Sequence, residues 1–302
     1  MNNKNKLSLL LVITLLVTGL LSSCFKEDLT DCPRPFQVTI KALDADQNDI
    51  TETGEVENAL LFVFNENDEL VKAFTINAAQ IKGRQPITID IDHPGYESLF
   101  FVAWGNVDES LEYSSIESVN NLLDLYVRLK TQGGFAVSPG DFFRGNLIVP
   151  VEYGGLENGK SHVVEINRMT SGVTITAIQL KEWNNNLDGE YSFVLHETMD
   201  MYDPDGVLSG DLVDYLPSCS FNPDGDLRAP IFYTFPTETG KGFKVDILFN
   251  GKVIYTTSHD SAGKLLVPEI GRTLNIIIDF SAELSVLCAV TPWNVVYQYV
   301  NY

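Results

Sequence analysis

Catalysis needs a nucleophile with its base, or a cluster of metal ligands, and the residues able to supply either are scattered through this 302-residue chain. The four histidines, His93, His162, His196 and His259, stand far apart. His196-Glu197 opens like a zinc-protease helix motif, but Asp200 occupies the position that the second histidine would need, so the pair reads as the end of a strand. No nucleophile elbow, phosphate-binding loop or dinucleotide fingerprint occurs in the sequence. With 41 acidic side chains, chance pairs of carboxylates are expected, and spacing cannot single out a glycosidase pair. The expectation is a non-enzymatic protein without catalytic, metal or cofactor residues.

Two weaker patterns point to ligands. Asp44, Asp46, Asn48 and Glu55 fall on positions one, three, five and twelve of a calcium-loop template, yet Asp49 stands where that template turns at glycine. A solvated hairpin loop accounts for them better. Asp203-Pro-Asp-Gly206 and 222–226 read as turns for the same reason. Trp104, Trp183 and Trp293 could stack on sugar rings; Trp104 ends an apolar run and reads as core, leaving Trp183 as the glycan-binding candidate.

The cysteine with the clearest chemistry is Cys24. Lys4 and Lys6 precede an apolar run over residues 7–21, and Leu21-Ser22-Ser23 lead into the thiol. That is a signal-peptide layout, with an apolar run shorter than the roughly 20 residues needed to span a bilayer. The site resembles a lipobox closely, which implies a diacylglyceryl group on the Cys24 sulfur and cleavage just before it. Several acyl chains give stable anchoring, each buried methylene contributing about 0.8 kcal/mol. Phe25-Lys26-Glu27-Asp28 then resembles the surface-export signal of lipoproteins in Bacteroides-type bacteria.

All 41 acidic residues follow Cys24, whereas two of the 20 basic ones precede it, so the mature chain is more acidic than the −21 of the whole. Such a chain repels nucleic acid and anionic headgroups. Cys32, Cys219 and Cys288 remain, an odd number without CxxC spacing; Cys219 could pair with Cys288, and buried free thiols are the alternative.

Short β-rich runs dominate the body. Phe36, Val38 and Ile40 alternate with polar residues, and further strands are expected at 59–64, 70–76, 86–91, 98–104 and 141–149. One helix is expected over 115–130, with Ile116, Val119, Leu122, Leu123, Tyr126 and Leu129 on a stripe and Ser114 with Glu117 in capping-box spacing. A second half is expected to open near 160, with strands at 163–166, 173–178, 191–195, 229–235, 243–249, 252–257, 274–280 and 293–299, and an Asn250-Gly251 hairpin. The pattern reads as mainly β, two β-sandwiches in tandem with one helix in the first. The divisions are 1–23 signal peptide, 24–35 lipidated tether, 36–159 N-terminal domain and 160–302 C-terminal domain.

Cys24, Asp31-Cys32-Pro33, the run from Leu60 to Phe64, Val102-Ala-Trp-Gly-Asn106 and Arg168-Met-Thr170 together resemble, in this order, the FimB-type minor fimbrial anchor family of Bacteroides-type bacteria. The resemblance implies transthyretin-like sandwiches and an outer-membrane lipoprotein, exposed at the cell surface, that holds a fimbrium. Its partners would be fimbrial shaft or accessory subunits and the membrane, with no nucleic acid. Filaments of this class are joined by strand donation, and the candidate donor strand is the tail, with Val295, Tyr297 and Tyr299 on one face. The tail could equally close its own sandwich. A surface glycan-binding lipoprotein is the rival reading.

Overall fold

In the computed structural model, residues 30–91, 95–154, 159–281 and 284–297 are described. The first part of the chain forms β1 (Phe36–Leu43), β2 (Asn58–Asn65), β3 (Leu70–Asn77), α1 (Ala78–Lys82), β4 (Ile87–Ile89), β5 (Ser98–Gly105), β6 (Leu111–Tyr113), β7 (Val127–Leu129), β8 (Thr131–Gln132), β9 (Phe135–Ala136), β10 (Phe143–Pro150) and β11 (Ser161–Arg168). The rest forms β12 (Ser171–Ile178), α2 (Leu180–Trp183), β13 (Tyr191–Tyr202), β14 (Leu208–Tyr215), β15 (Ser220–Phe221), β16 (Leu227–Thr234), β17 (Lys244–Phe249), β18 (Lys252–Thr257), β19 (Arg272–Asp279) and β20 (Ser285–Pro292).

The mainly β expectation holds. A seven-stranded sheet runs β3-β2-β5-β10-β11-β1-β4. It curls on itself, because Phe36 on β1 meets Phe101 on β5 with ring centroids 6.0 Å apart although three strand steps separate them. Val38, Ile40, Leu61, Val63, Val164 and Ile166 fill the enclosed face. Two further sheets, β15-β16-β12-β19-β20 and β18-β17-β13-β7-β6, face each other as the second sandwich around Val173, Ile175, Phe193, Val245 and Ile276. The Asn250-Gly251 hairpin forms as read, both residues at positive φ, as a turn matched to strand twist requires.

The sheets do not divide the chain at 159/160. β11 lies beyond that point yet pairs with β1 in parallel and with β10, inside the first sheet. β6 and β7 lie before it and extend the second sandwich, Met201 and Tyr202 on β13 pairing with Arg128 and Val127. The outer face of the first sheet is buried too: Leu60, Phe62 and Trp104 belong to the same continuous core as Val173 and Phe193.

The helix expected over 115–130 does not form. Residues 114–126 wrap the core as an irregular loop whose backbone is used elsewhere: Leu70 N–H donates to Asn120 O at 2.8 Å and Leu122 N–H to Asp68 O at 2.8 Å. Asn121 caps a single 3-10 turn, Leu122–Asp124, and β7 follows. Val119, Leu125, Val127 and Leu129 reach the core, whereas Leu123 points away from it. The helical spacing of apolar residues was produced by a loop and a short strand that bury alternate patches.

Candidate functional site

Two surfaces carry the residues singled out above: the pole where the chain leaves the N-terminal tether, and the C-terminal tail. Cys24 lies outside the described residues. From Cys32 onward the chain is fixed: Arg34 N–H donates to Glu152 O at 2.7 Å, Gly154 N–H to Cys32 O at 3.0 Å and Gly159 N–H to Pro35 O at 2.9 Å, with Pro33 bridged to Tyr153. Tyr153 in turn donates its hydroxyl to Tyr96 O at 2.7 Å and accepts from Gly95 N–H at 2.9 Å. A cleft of about 770 Å³ lined by Asp31, Tyr96, Glu97, Val151 and Tyr153 opens beside it.

The tail begins where β20 ends. The strand expected at 293–299 is not formed over 293–297; β20 stops at Pro292 and a turn follows, with Asn294 in the left-handed region. Trp293 stacks on Tyr233, ring centroids 4.9 Å apart at 12°, and the Arg168 guanidinium sits 4.7 Å from the centre of the same indole. Asn294 N–H donates to Thr273 Oγ1 at 3.0 Å, Tyr297 N–H donates to Asn275 Oδ1 at 2.9 Å, and the Tyr233 hydroxyl donates to Asn294 Oδ1 at 2.8 Å. The tail therefore lies across the outer side of β19, held by side chains instead of a strand ladder. Val295, Val296 and Tyr297 are exposed. Tyr299 lies outside the described residues.

Arg168 anchors this corner. It ends β11, its side chain is 3 % exposed, and it donates from Nε to both carboxylate oxygens of Asp141 at 3.0 Å and pairs with Glu55. Its cation also sits over the Phe143 ring at 5.0 Å. Burial pushes the Asp141 carboxyl up to about 6, against the opposite pull of Arg168. A buried guanidinium held by two acids and two rings ties the end of the first sheet to the base of the tail.

A family model described as Fimbrillin-A associated anchor proteins Mfa1 and Mfa2 matches residues 29–299. The chain belongs to this Mfa2 family. It is 39 % identical over 306 aligned positions to the major fimbrium anchoring subunit FimB of Porphyromonas gingivalis strain W83, covering 99 % of this chain and 100 % of that protein. FimB of strain ATCC 33277 gives the same identity and coverage. Among solved structures, the fimbrial anchor protein Mfa2 from P. gingivalis superposes with a TM-score of 0.64 at 18 % identity, over 87 % of this chain and 98 % of that one, a likeness of fold.

The other residues marked in the sequence of this Mfa2-family chain are not brought together. The calcium-template residues serve the loop itself: Asp44 accepts from Asp46 N–H and Asn48 N–H, both at 2.8 Å, Asp46 pairs with Arg272, and Glu55 is held by Arg168. His196 sits inside β13, not at a strand end, between Asp214 at 2.8 Å and Asp246 at 3.0 Å, next to a bulge where Glu197 has φ 78°. Trp104 is core, and Trp183 packs its ring on Phe280 at 4.7 Å. Cys32, Cys219 and Cys288 are free thiols, so the Cys219–Cys288 pairing is not made. His93 lies outside the described residues.

Sequence reading gave Arg168 only as part of a family motif and missed its role. The acids it binds lie 27 and 113 positions away in the chain. The one local signal was a cation closing an otherwise alternating strand.

Proposed function

We propose that this protein anchors a fimbrium to the outer membrane, held there by lipid on Cys24 and displayed at the cell surface, and that it joins the filament by strand complementation through its tail. The observation that carries the anchoring role is the full-length likeness to the FimB anchoring subunits. The role needs no catalytic residue. For the tail, the support is physical. Residues 293–302 contain no charged side chain in a chain that is 20 % charged. Val295, Val296 and Tyr297 present apolar side chains to solvent, without a strand partner among the described residues. Uncharged apolar segments without a strand partner are suited to completing a neighbour's sheet once extended.

The test is to express the full chain and a variant lacking 293–302 in the native bacterium, crosslink intact cells, and recover the lipoprotein from the outer membrane. Fimbrial subunits should co-purify with the full chain and be lost with the truncation, while fimbriae appear in the medium. Equal recovery from both forms would refute the tail as the joint; recovery of no fimbrial subunit from either would refute the anchor role.

A further inference from the structure

The strand ends of the first sheet define a pole. Phe36 pairs with Ile89, Gln37 with Ser161, Ser98 with Pro150, and Leu99 with Asn65, so the starts of β1, β5 and β11 and the ends of β2, β4 and β10 share one end. The tether leaves from that end, because Cys32 to Pro35 are bonded to residues 152–159. Eight residues from Cys24 to Cys32 reach at most about 28 Å when fully extended. β1 then carries the chain about 26 Å away from the pole at its strand rise. At its far end the following loop meets the second sandwich, where Asp46 pairs with Arg272.

Apolar side chains are also exposed near this pole, on the first sheet and on the loop beside it. Leu123 is 79 % exposed, Ile148 67 % and Val163 43 %. Ile148 lies two residues before the end of β10 and Val163 two after the start of β11. Leu123 is placed at the same end by the Leu122 N–H bond to Asp68, in the turn that follows Asn65. At this end Asp31, Glu97 and Glu152 stand beside Arg34 and Lys160, and Lys160 is paired with Glu152 at 3.4 Å, so cations are not in excess and apolar contact held by a short tether is the force.

We infer that the protein stands on the leaflet that carries its lipid by this pole, with Leu123, Ile148 and Val163 seated at the headgroup boundary and the second sandwich held outward. The inference rests on lipidation of Cys24. A tether of that length keeps the pole at high local concentration against the surface, so side chains too few to bind a membrane unaided are sufficient. The outward placement leaves the second sandwich free for a filament.

The lipidated full chain would be reconstituted into phosphatidylethanolamine–phosphatidylglycerol vesicles with or without brominated acyl chains, as Leu123→Trp, Ile148→Trp and, on the second sandwich, Leu212→Trp. The emission added by tryptophan at 123 and 148 should fall about twofold with bromine, and that added at 212 should not change. Unquenched emission at 123 and 148, or quenching at 212, would overturn the orientation. Intact mass reads the lipid separately: a chain without the diacylglyceryl group overturns the anchor reading itself, whereas a lipidated chain with an unquenched pole overturns only this one.

Discussion

Arg168 shows how one side chain links distant parts of the fold. Removing it leaves Asp141 and Glu55 facing each other without their cation and leaves Trp293 stacked on one side only. Arg168→Met should cost about 3 kcal/mol or more, because an acid stays buried and unpaired. Arg168→Lys should recover only part, since a point charge cannot replace a planar guanidinium that holds Asp141 through Nε and Glu55 through Nη2 at once. Urea titrations of the three forms decide this, and a loss of under about 1 kcal/mol in the Met variant would contradict the role given to the clamp. The acid of the pair supplies a pH test. Folded Asp141 titrates at about 6, whereas an unfolded aspartate titrates near about 4. The folded state therefore holds the proton more tightly, and the contribution of this group to stability rises as pH falls through about 6 and levels off below about 4. Melting temperatures of the wild type measured against Asp141→Asn should shift in favour of the wild type over that window; a constant difference from pH 7 to 4 would sink the argument. Asp49 is the opposite case: the Thr51 hydroxyl bond and Arg84 hold its carboxyl down to about 2, so it keeps its charge through the same window.

Among the elements, β10 and β11 meet only at Phe143–Arg168 and Arg144–Asn167 before diverging. Gly145 sits at that fork, where an added Cβ would come within 1.9 Å of the Glu165 carbonyl oxygen. Gly145→Ala must therefore move backbone, and it should destabilise by about 3 kcal/mol, at the upper end of ordinary overpacking. Calorimetry of Gly145→Ala beside the wild type reads this loss, and a change of under about 1 kcal/mol would contradict the close approach. The segment 114–126 teaches the converse lesson. Its apolar spacing suits a helix, yet the edge groups of Asp68 and Leu70 needed backbone partners, and an extended loop satisfies them while still burying Val119 and Leu125. Helical periodicity is a local signal, whereas the unpaired strand edge that outweighed it comes from a distant part of the chain.

For the whole molecule, the shared core predicts that the two sandwiches unfold together. Leu60, Phe62 and Trp104 of the first sheet pack in one cluster with residues of the second, and β6, β7 and β11 each serve the sandwich on the other side of residue 160. A scanning-calorimetry trace of residues 25–302 should show one transition. Residues 160–302 expressed without the rest should lack a cooperative melt, because β13 loses β7 and β11 leaves its sheet behind; a dispersed amide spectrum from that fragment would contradict the expectation.

Much was legible along the chain because it depends on local order. The alternation in Phe36 to Leu43, the Asn250-Gly251 turn and the apolar β runs specify strands through contacts between near neighbours. The order of Cys24, the Leu60 to Phe64 run, Val102-Ala-Trp-Gly-Asn106 and Arg168-Met-Thr170 was enough to point to the anchor family. What the linear order could not give is which strands cross between sandwiches, the loop in place of the 115–130 helix, and the meeting of Glu55, Asp141, Arg168 and Trp293. Those depend on free energies of burial and pairing between residues up to a hundred or more positions apart, which arise when the sheets close and leave no trace in local spacing.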